Sequence, residues 1–119
     1  MSNKMTTKRE GVVRTYQHHN NRLATLVEAS SDTDFVAMNK EFLSFVDQLN
    51  LHIASEAPSS VEELLEQTWL FGESQTVGEV LLETRKKFGE DIQVVSFMRW
   101  SMDPPDLSKG EQSTSEIEE

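Results

Sequence analysis

Along most of this chain the apolar residues recur at helical spacing. Over residues 7–29, Val12, Tyr16, His19, Leu23 and Leu26 step by four, three, four and three, with Val13 and Val27 widening the stripe. Gly11 and the Val12-Val13 pair lower helix propensity locally, so a short strand over residues 11–17 competes. The continuing stripe favours a helix. Residues 34–54 carry a broader one: Phe35, Met38, Phe42, Phe45 and Leu49, flanked by Val36, Leu43, Val46 and Ile53. A stripe that wide predicts a central helix touching neighbours on two sides.

Pro58 breaks this pattern, because the residue before a proline is pushed out of the helical region. A short helix is expected over residues 61–71, with Gly72 just past its end, and another over residues 76–88, where Arg85, Lys86 and Lys87 suit the negative end of the dipole and Gly89 closes the last turn. Three hydroxyl–carboxylate pairs at the capping-box spacing, Thr7 with Glu10, Ser60 with Glu63 and Thr76 with Glu79, mark helix starts. Residues 92–100 read two ways. Ile92, Val94, Met98 and Trp100 alternate as a strand does, while Ile92, Val95, Phe97 or Met98, and Met102 fit a helical face. The helix is preferred, since a strand here has only residues 11–17 to pair with.

The predicted fold is therefore mainly α: a compact bundle of four to five helices. The fallback is α+β, with one small hairpin pairing residues 11–17 and 92–100. Residues 1–6 form a flexible N-terminus, residues 7–102 a single helical domain, and residues 103–119, acidic and nearly without apolar groups, a disordered tail.

Composition narrows the function more than it names one. There is no cysteine, which removes thiolate nucleophiles, disulfides and cysteine metal sites. The first ten residues have no apolar core of a signal peptide, and no apolar run approaches the roughly 20 residues of a membrane span; a cytoplasmic protein without membrane contact is expected. Net charge is −10. Before residue 28 five cations oppose one carboxylate, and the tail is strongly acidic. Nucleic-acid binding, which needs clustered cations, is not expected.

The five glycines are scattered and form no phosphate-binding loop. His18 and His19 are adjacent, so on a helix they diverge; a zinc site would have to join one of them to His52 and Glu56. No HExxH or Glu-x-x-His occurs, and the paired carboxylates fall on solvated faces or caps. No catalytic residue, cofactor, metal ligand or small-molecule substrate is inferred.

What remains is a surplus of large apolar side chains in two short segments. Trp69, Leu70 and Phe71 cannot all face one core, and Phe97, Met98, Arg99, Trp100 and Met102 crowd six positions. Tryptophan, methionine and arginine are enriched at interface cores. Trp69, Phe71, Phe97, Met98, Arg99, Trp100 and Met102 are thus the candidate partner-binding residues. The expected function is a non-catalytic cytoplasmic interaction module: an adaptor, assembly chaperone, inhibitor or regulator that binds a protein partner or itself. The alternatives are an acidic nucleic-acid mimic that inhibits a basic-grooved enzyme and, last, a small histidine/carboxylate metal enzyme.

Overall fold

The computed structural model describes residues 9–103. The expected flexible N-terminus and, apart from Asp103, the acidic tail lie outside the described residues. The described residues open with a β-hairpin where a helix was expected: β1 (Glu10–Gln17) and β2 (Leu23–Ser31) pair antiparallel, from Glu10 opposite Ser31 to Gln17 opposite Ala24. The turn between them is made by the run His18-His19-Asn20-Asn21-Arg22. Asn21 takes a left-handed conformation (φ 62°), the Asn20 side chain accepts from the Arg22 N–H, and the His18 N–H donates to the Leu23 carbonyl. Asparagine tolerates that geometry better than other non-glycine residues. Of the expected pair Thr7–Glu10, Glu10 begins the first strand rather than a helix, and Thr7 lies outside the described residues.

Gly11 fixes the hairpin's far end. Its φ is +153°, and a Cβ there would lie 2.2 Å from the Ala29 carbonyl oxygen, a backbone atom that cannot swing aside. Gly11→Ala is expected to lower stability by about 1–3 kcal/mol, read as a fall in the urea midpoint with the slope unchanged.

After β2 come α1 (Asp34–Ala37), α2 (Lys40–Glu56), α3 (Val61–Glu66) and α4 (Val77–Phe88). The last described element, β3 (Gln93–Ser101), pairs antiparallel with β2, so the sheet order is β1-β2-β3. The mainly-α expectation is thus overturned: the described residues form an α+β fold. The fallback hairpin fails too, because residues 11–17 and 92–100 do not pair with each other; β2 lies between them. The physical reason is hydrogen bonding, since each strand finds in β2 a partner for its ladder.

The helices were read more closely. The stripe over residues 34–54 is real but interrupted at Met38–Asn39, where Asn39 starts α2 by accepting from the Glu41 and Phe42 N–H groups. Thr76 and Glu79 form a complete capping box on α4, and Gly89 closes it in a left-handed conformation. Ser60 caps α3, while the Glu63 carboxylate reaches Ser59 and is held below the usual carboxylate range mainly by that hydroxyl. α3 stops at Glu66, short of the expected Phe71.

All the helical packing is on one face of the sheet. Val27, Ala29 and Val94 meet Phe42, Val46, Leu49 and Ile53 of α2, with Leu64, Trp69, Val77, Leu81 and Ile92 completing the core. Two polar links tie α2 to the hairpin. The guanidinium of Arg14 grips Asp47 through both carboxylate oxygens (2.9 and 2.7 Å). Fully buried Asn50 accepts from the Thr25 hydroxyl (2.7 Å) and donates to the Arg14 carbonyl (3.2 Å). A buried amide bonded through both its oxygen and its nitrogen favours one register of helix on sheet.

Candidate functional site

Where β2 leaves the sheet, the chain makes a short, tightly braced turn. Glu90, in the connection from α4 to β3, accepts from the Asp32 N–H (3.0 Å), the Thr33 N–H (3.1 Å) and the Thr33 hydroxyl (2.6 Å). Asp32 accepts in return from the Asp91 N–H (3.0 Å), and the Ser31 hydroxyl donates to the Thr33 carbonyl (2.8 Å). The Thr33 hydroxyl also accepts from the Val36 N–H, capping α1. Behind the turn, Arg85 of α4 donates to the Ile92 carbonyl (2.7 Å), holding the Glu90-bearing connection in place.

On this brace α1 divides its side chains sharply. Val36 and Ala37 are 4% exposed and anchor the turn in the core. Phe35 is 77% exposed and Met38 71%, three residues apart and so on neighbouring positions of the helical surface, beside exposed Asp34. Phe35 is the most exposed large apolar side chain among the described residues. A phenylalanine left this exposed contributes little to the fold's own core, whereas aromatic side chains are prominent among the residues that dominate binding energy at interfaces. The sequence reading placed Phe35 and Met38 on the buried stripe of one long helix. The signal it passed over was the polar break at Asn39, which ends α1 and frees the two side chains from the core-facing row.

The residues proposed from the sequence do not gather into one site. Trp69 is 6% exposed, stacked on His52 (centroids 5.6 Å apart, 17° between planes) and packed near Phe45. Phe71 lies edge-on to Trp69 at 5.2 Å and is half-exposed. The strand alternation of β3 then splits the remaining run between two faces. Phe97 packs against the core, and Arg99 donates twice to the Ala54 carbonyl (3.2 and 3.1 Å), its burial lowering the guanidinium's pKa. Met98 and Trp100 point to the opposite, helix-free face. Exposed Met102 follows, its N–H bonded to the Arg22 carbonyl.

His18 lies at the hairpin turn with Nδ1 2.7 Å from the Tyr16 hydroxyl, and His19 is exposed beside it. His52 is buried on α2. The Leu70 N–H donates to its Nδ1 (3.2 Å), which puts the imidazole proton on Nε2, facing the Gln67 side-chain oxygen (2.9 Å). Both nitrogens are used, which leaves no lone pair for a metal. No helix among the described residues is long and apolar enough to cross a membrane.

Burial pushes the His52 pKa below its ordinary value; the Gln67 hydrogen bond and the charge of Glu56 act the other way without offsetting it. The unfolded chain therefore takes up this proton more readily than the folded one. Stability from this group is complete above the unfolded value near 6.5, and it falls as pH drops through that value towards the folded one, by at most about 1.4 kcal/mol per pH unit. Urea titrations at several pH values should show this acid-side slope, reduced in His52→Gln.

The helix-backed sheet with its braced apolar turn defines the class: a small α+β domain whose conspicuous features are exposed apolar side chains. Residues 32–107 match the family described as Elongation factor TS, and the match begins within the braced turn. Similar proteins include the elongation factor Ts of Clostridium kluyveri, 39% identical over 90 residues (76% of this chain, 29% of that protein), and of Clostridium perfringens, 39% over 94 residues (79% and 30%). That of Trichlorobacter lovleyi is 37% identical over 94 residues (79% and 30%). The chain belongs to the elongation factor Ts family. It spans about three-tenths of the length of these relatives.

Membership corrects the functional expectation. Adaptor, assembly chaperone, inhibitor and regulator give way to a translation-factor family, and with them go the nucleic-acid mimic and the metal enzyme. The error has a physical root. Composition and motif exclusion carry no signature for a protein family defined by contact surfaces, so the sequence offered only the general idea of a protein partner.

Proposed function

We propose that the chain acts in translation elongation by binding the GTPase EF-Tu and promoting exchange of its guanine nucleotide, in the way ascribed to elongation factor Ts. The observation that carries this reading is the exposed, braced Phe35, inside the stretch matched to the family. Exchange makes and breaks no covalent bond. It requires a surface that binds the nucleotide-free partner more tightly than the loaded one, because a ligand shifts an equilibrium only by its differential affinity. A protruding apolar side chain on a turn already ordered by Glu90 suits that task, since little backbone freedom is lost when it inserts. The chain would then be an exchange factor rather than a catalyst of bond chemistry, and its place of work the cytoplasm.

The test is release of fluorescent GDP from loaded EF-Tu, chased with excess unlabelled GDP. Release that accelerates with increasing concentration of the chain supports the proposal; no acceleration, together with no complex in gel filtration of nucleotide-free EF-Tu with the chain, overturns it. Self-association, the other kind of partner expected from the sequence, would use a different surface: the helix-free face of the sheet.

A further inference from the structure

The last backbone pair between β2 and β3 sets Ser30 opposite Gln93. Beyond it the strands part, β2 towards α1 and β3 back towards α4, and carboxylates replace the carbonyls of the ladder as acceptors. One oxygen of Glu90 accepts from the Asp32 and Thr33 N–H groups and the other from the Thr33 hydroxyl, while Asp32 accepts from the Asp91 N–H. A carboxylate suits this place because it can take several donors at once and brings none of its own. The bonding runs both ways, so the two segments cannot part without orphaning N–H groups on each.

This clasp holds a helix too short to hold itself. α1 has four residues, and a single turn returns little hydrogen bonding for the dihedral freedom it removes. Val36 and Ala37 anchor its buried side; the clasp is a second point of attachment, which fixes its orientation. The link runs through Thr33, whose hydroxyl donates to Glu90 (2.6 Å) and accepts from the Val36 N–H (3.3 Å). A hydroxyl that donates to a carboxylate is fixed in rotation and becomes a stronger acceptor. Glu90 thus bears on the Val36 N–H through Thr33, and Phe35 lies in the chain between those two residues. We propose that Glu90, from a different segment of the chain, is a positioning residue for exchange that acts on the partner through Phe35 alone, by fixing the direction in which the ring leaves the molecule. This inference rests on the exchange reading and names the residue that controls its contact.

Glu90→Ala should raise the concentration of chain needed for half-maximal GDP release from EF-Tu about tenfold, the factor expected for ordering roughly one residue on binding, with the maximal rate unchanged. Glu90→Gln keeps an oxygen for both N–H groups and should recover most of the loss. In the double variant the two effects should not multiply: Phe35→Ala with Glu90→Ala should be no weaker than Phe35→Ala alone, because the ring through which Glu90 acts is gone. If Glu90→Ala does not fold, Thr33→Val, which cuts the link between Glu90 and Val36, replaces it in the same cycle with the same expectation. Multiplying losses overturn the proposal, as does a single variant that matches the parent or lowers only the maximal rate. Should the parent fail to speed GDP release, the exchange reading falls by itself, and amide exchange of the free chain judges the clasp. The Phe35 and Val36 N–H groups should then exchange about tenfold faster in Glu90→Ala while α2 keeps its protection. Unchanged protection at both overturns the positioning role whatever EF-Tu does.

Discussion

Phe35→Ala is expected to reduce the chain's affinity for EF-Tu by a factor of about 30 or more while leaving its unfolding midpoint almost unchanged. The asymmetry follows from where the ring sits. At 77% exposure it leaves little apolar surface to be lost from the core on truncation, and surface changes usually stay within about 0.5 kcal/mol. In a complex the same ring would be an anchored aromatic contact, and truncating such a residue costs about 2 kcal/mol or more, which is the stated factor. The brace sharpens the expectation. Glu90 holds Asp32 and Thr33 by three hydrogen bonds, so the turn reaches the partner already ordered. The measurement is the concentration of chain needed for half-maximal release of fluorescent GDP, beside a thermal unfolding curve of the same preparation. A large shift in the first with a small change in the second is the expected pair. A variant as active as the parent would remove Phe35 from the proposed contact.

Helices were legible in this sequence wherever a local signal marked their ends. Thr76 with Glu79 and Gly89 bracket α4 closely, and Ser60 does start α3, because capping chemistry is decided within a few residues. Strands were legible only as competing readings, over residues 11–17 and 92–100, and two accidents of spacing explain why the helix was preferred. Val12 and Tyr16 share the core-facing side of β1, while Leu26 lies on the outer face of β2, yet across the turn their intervals imitate a helical stripe. In β3 the register shifts by one residue beside Glu28 and Ala29, so Val94 and Phe97, three apart, both meet the core. That bulge lends the strand a helix-like spacing of core residues beside its alternation, which left the two readings in competition.

The candidate site suffered from the same cause. With β3 taken as a helix, Phe97 to Met102 looked like one patch; as a strand, it presents Phe97 and Arg99 to the helices and Met98 and Trp100 to the open face. Trp69 is accounted for by packing on His52 and Phe45. Phe35 was hidden in a different way. Apolar periodicity treats every large side chain as one to be buried, and nothing in a single sequence separates a phenylalanine that packs inward from one that a polar break turns outward.

Phe42, seven residues further on, should behave in the opposite manner. It is fully buried at the start of α2, and its ring meets Phe88 of α4 edge-on, with centroids 6.4 Å apart and an angle of 89°. That contact joins the helix lying on the hairpin to the helix that leads into β3, and Val36 of the braced turn belongs to the same core cluster. Phe42→Ala removes the buried ring and leaves a cavity that three elements border, a change that costs about 3–5 kcal/mol. Small domains have about 5–15 kcal/mol in all, so the variant should be marginally folded, with a Tm lowered by about 15 °C or more. Phe42→Leu refills much of the space and should recover most of the loss. Thermal and urea unfolding of the two variants beside Phe35→Ala would test the division directly. If Phe42→Ala unfolded within a few degrees of the parent, the ring could not be the joint between α2 and α4 that its position implies.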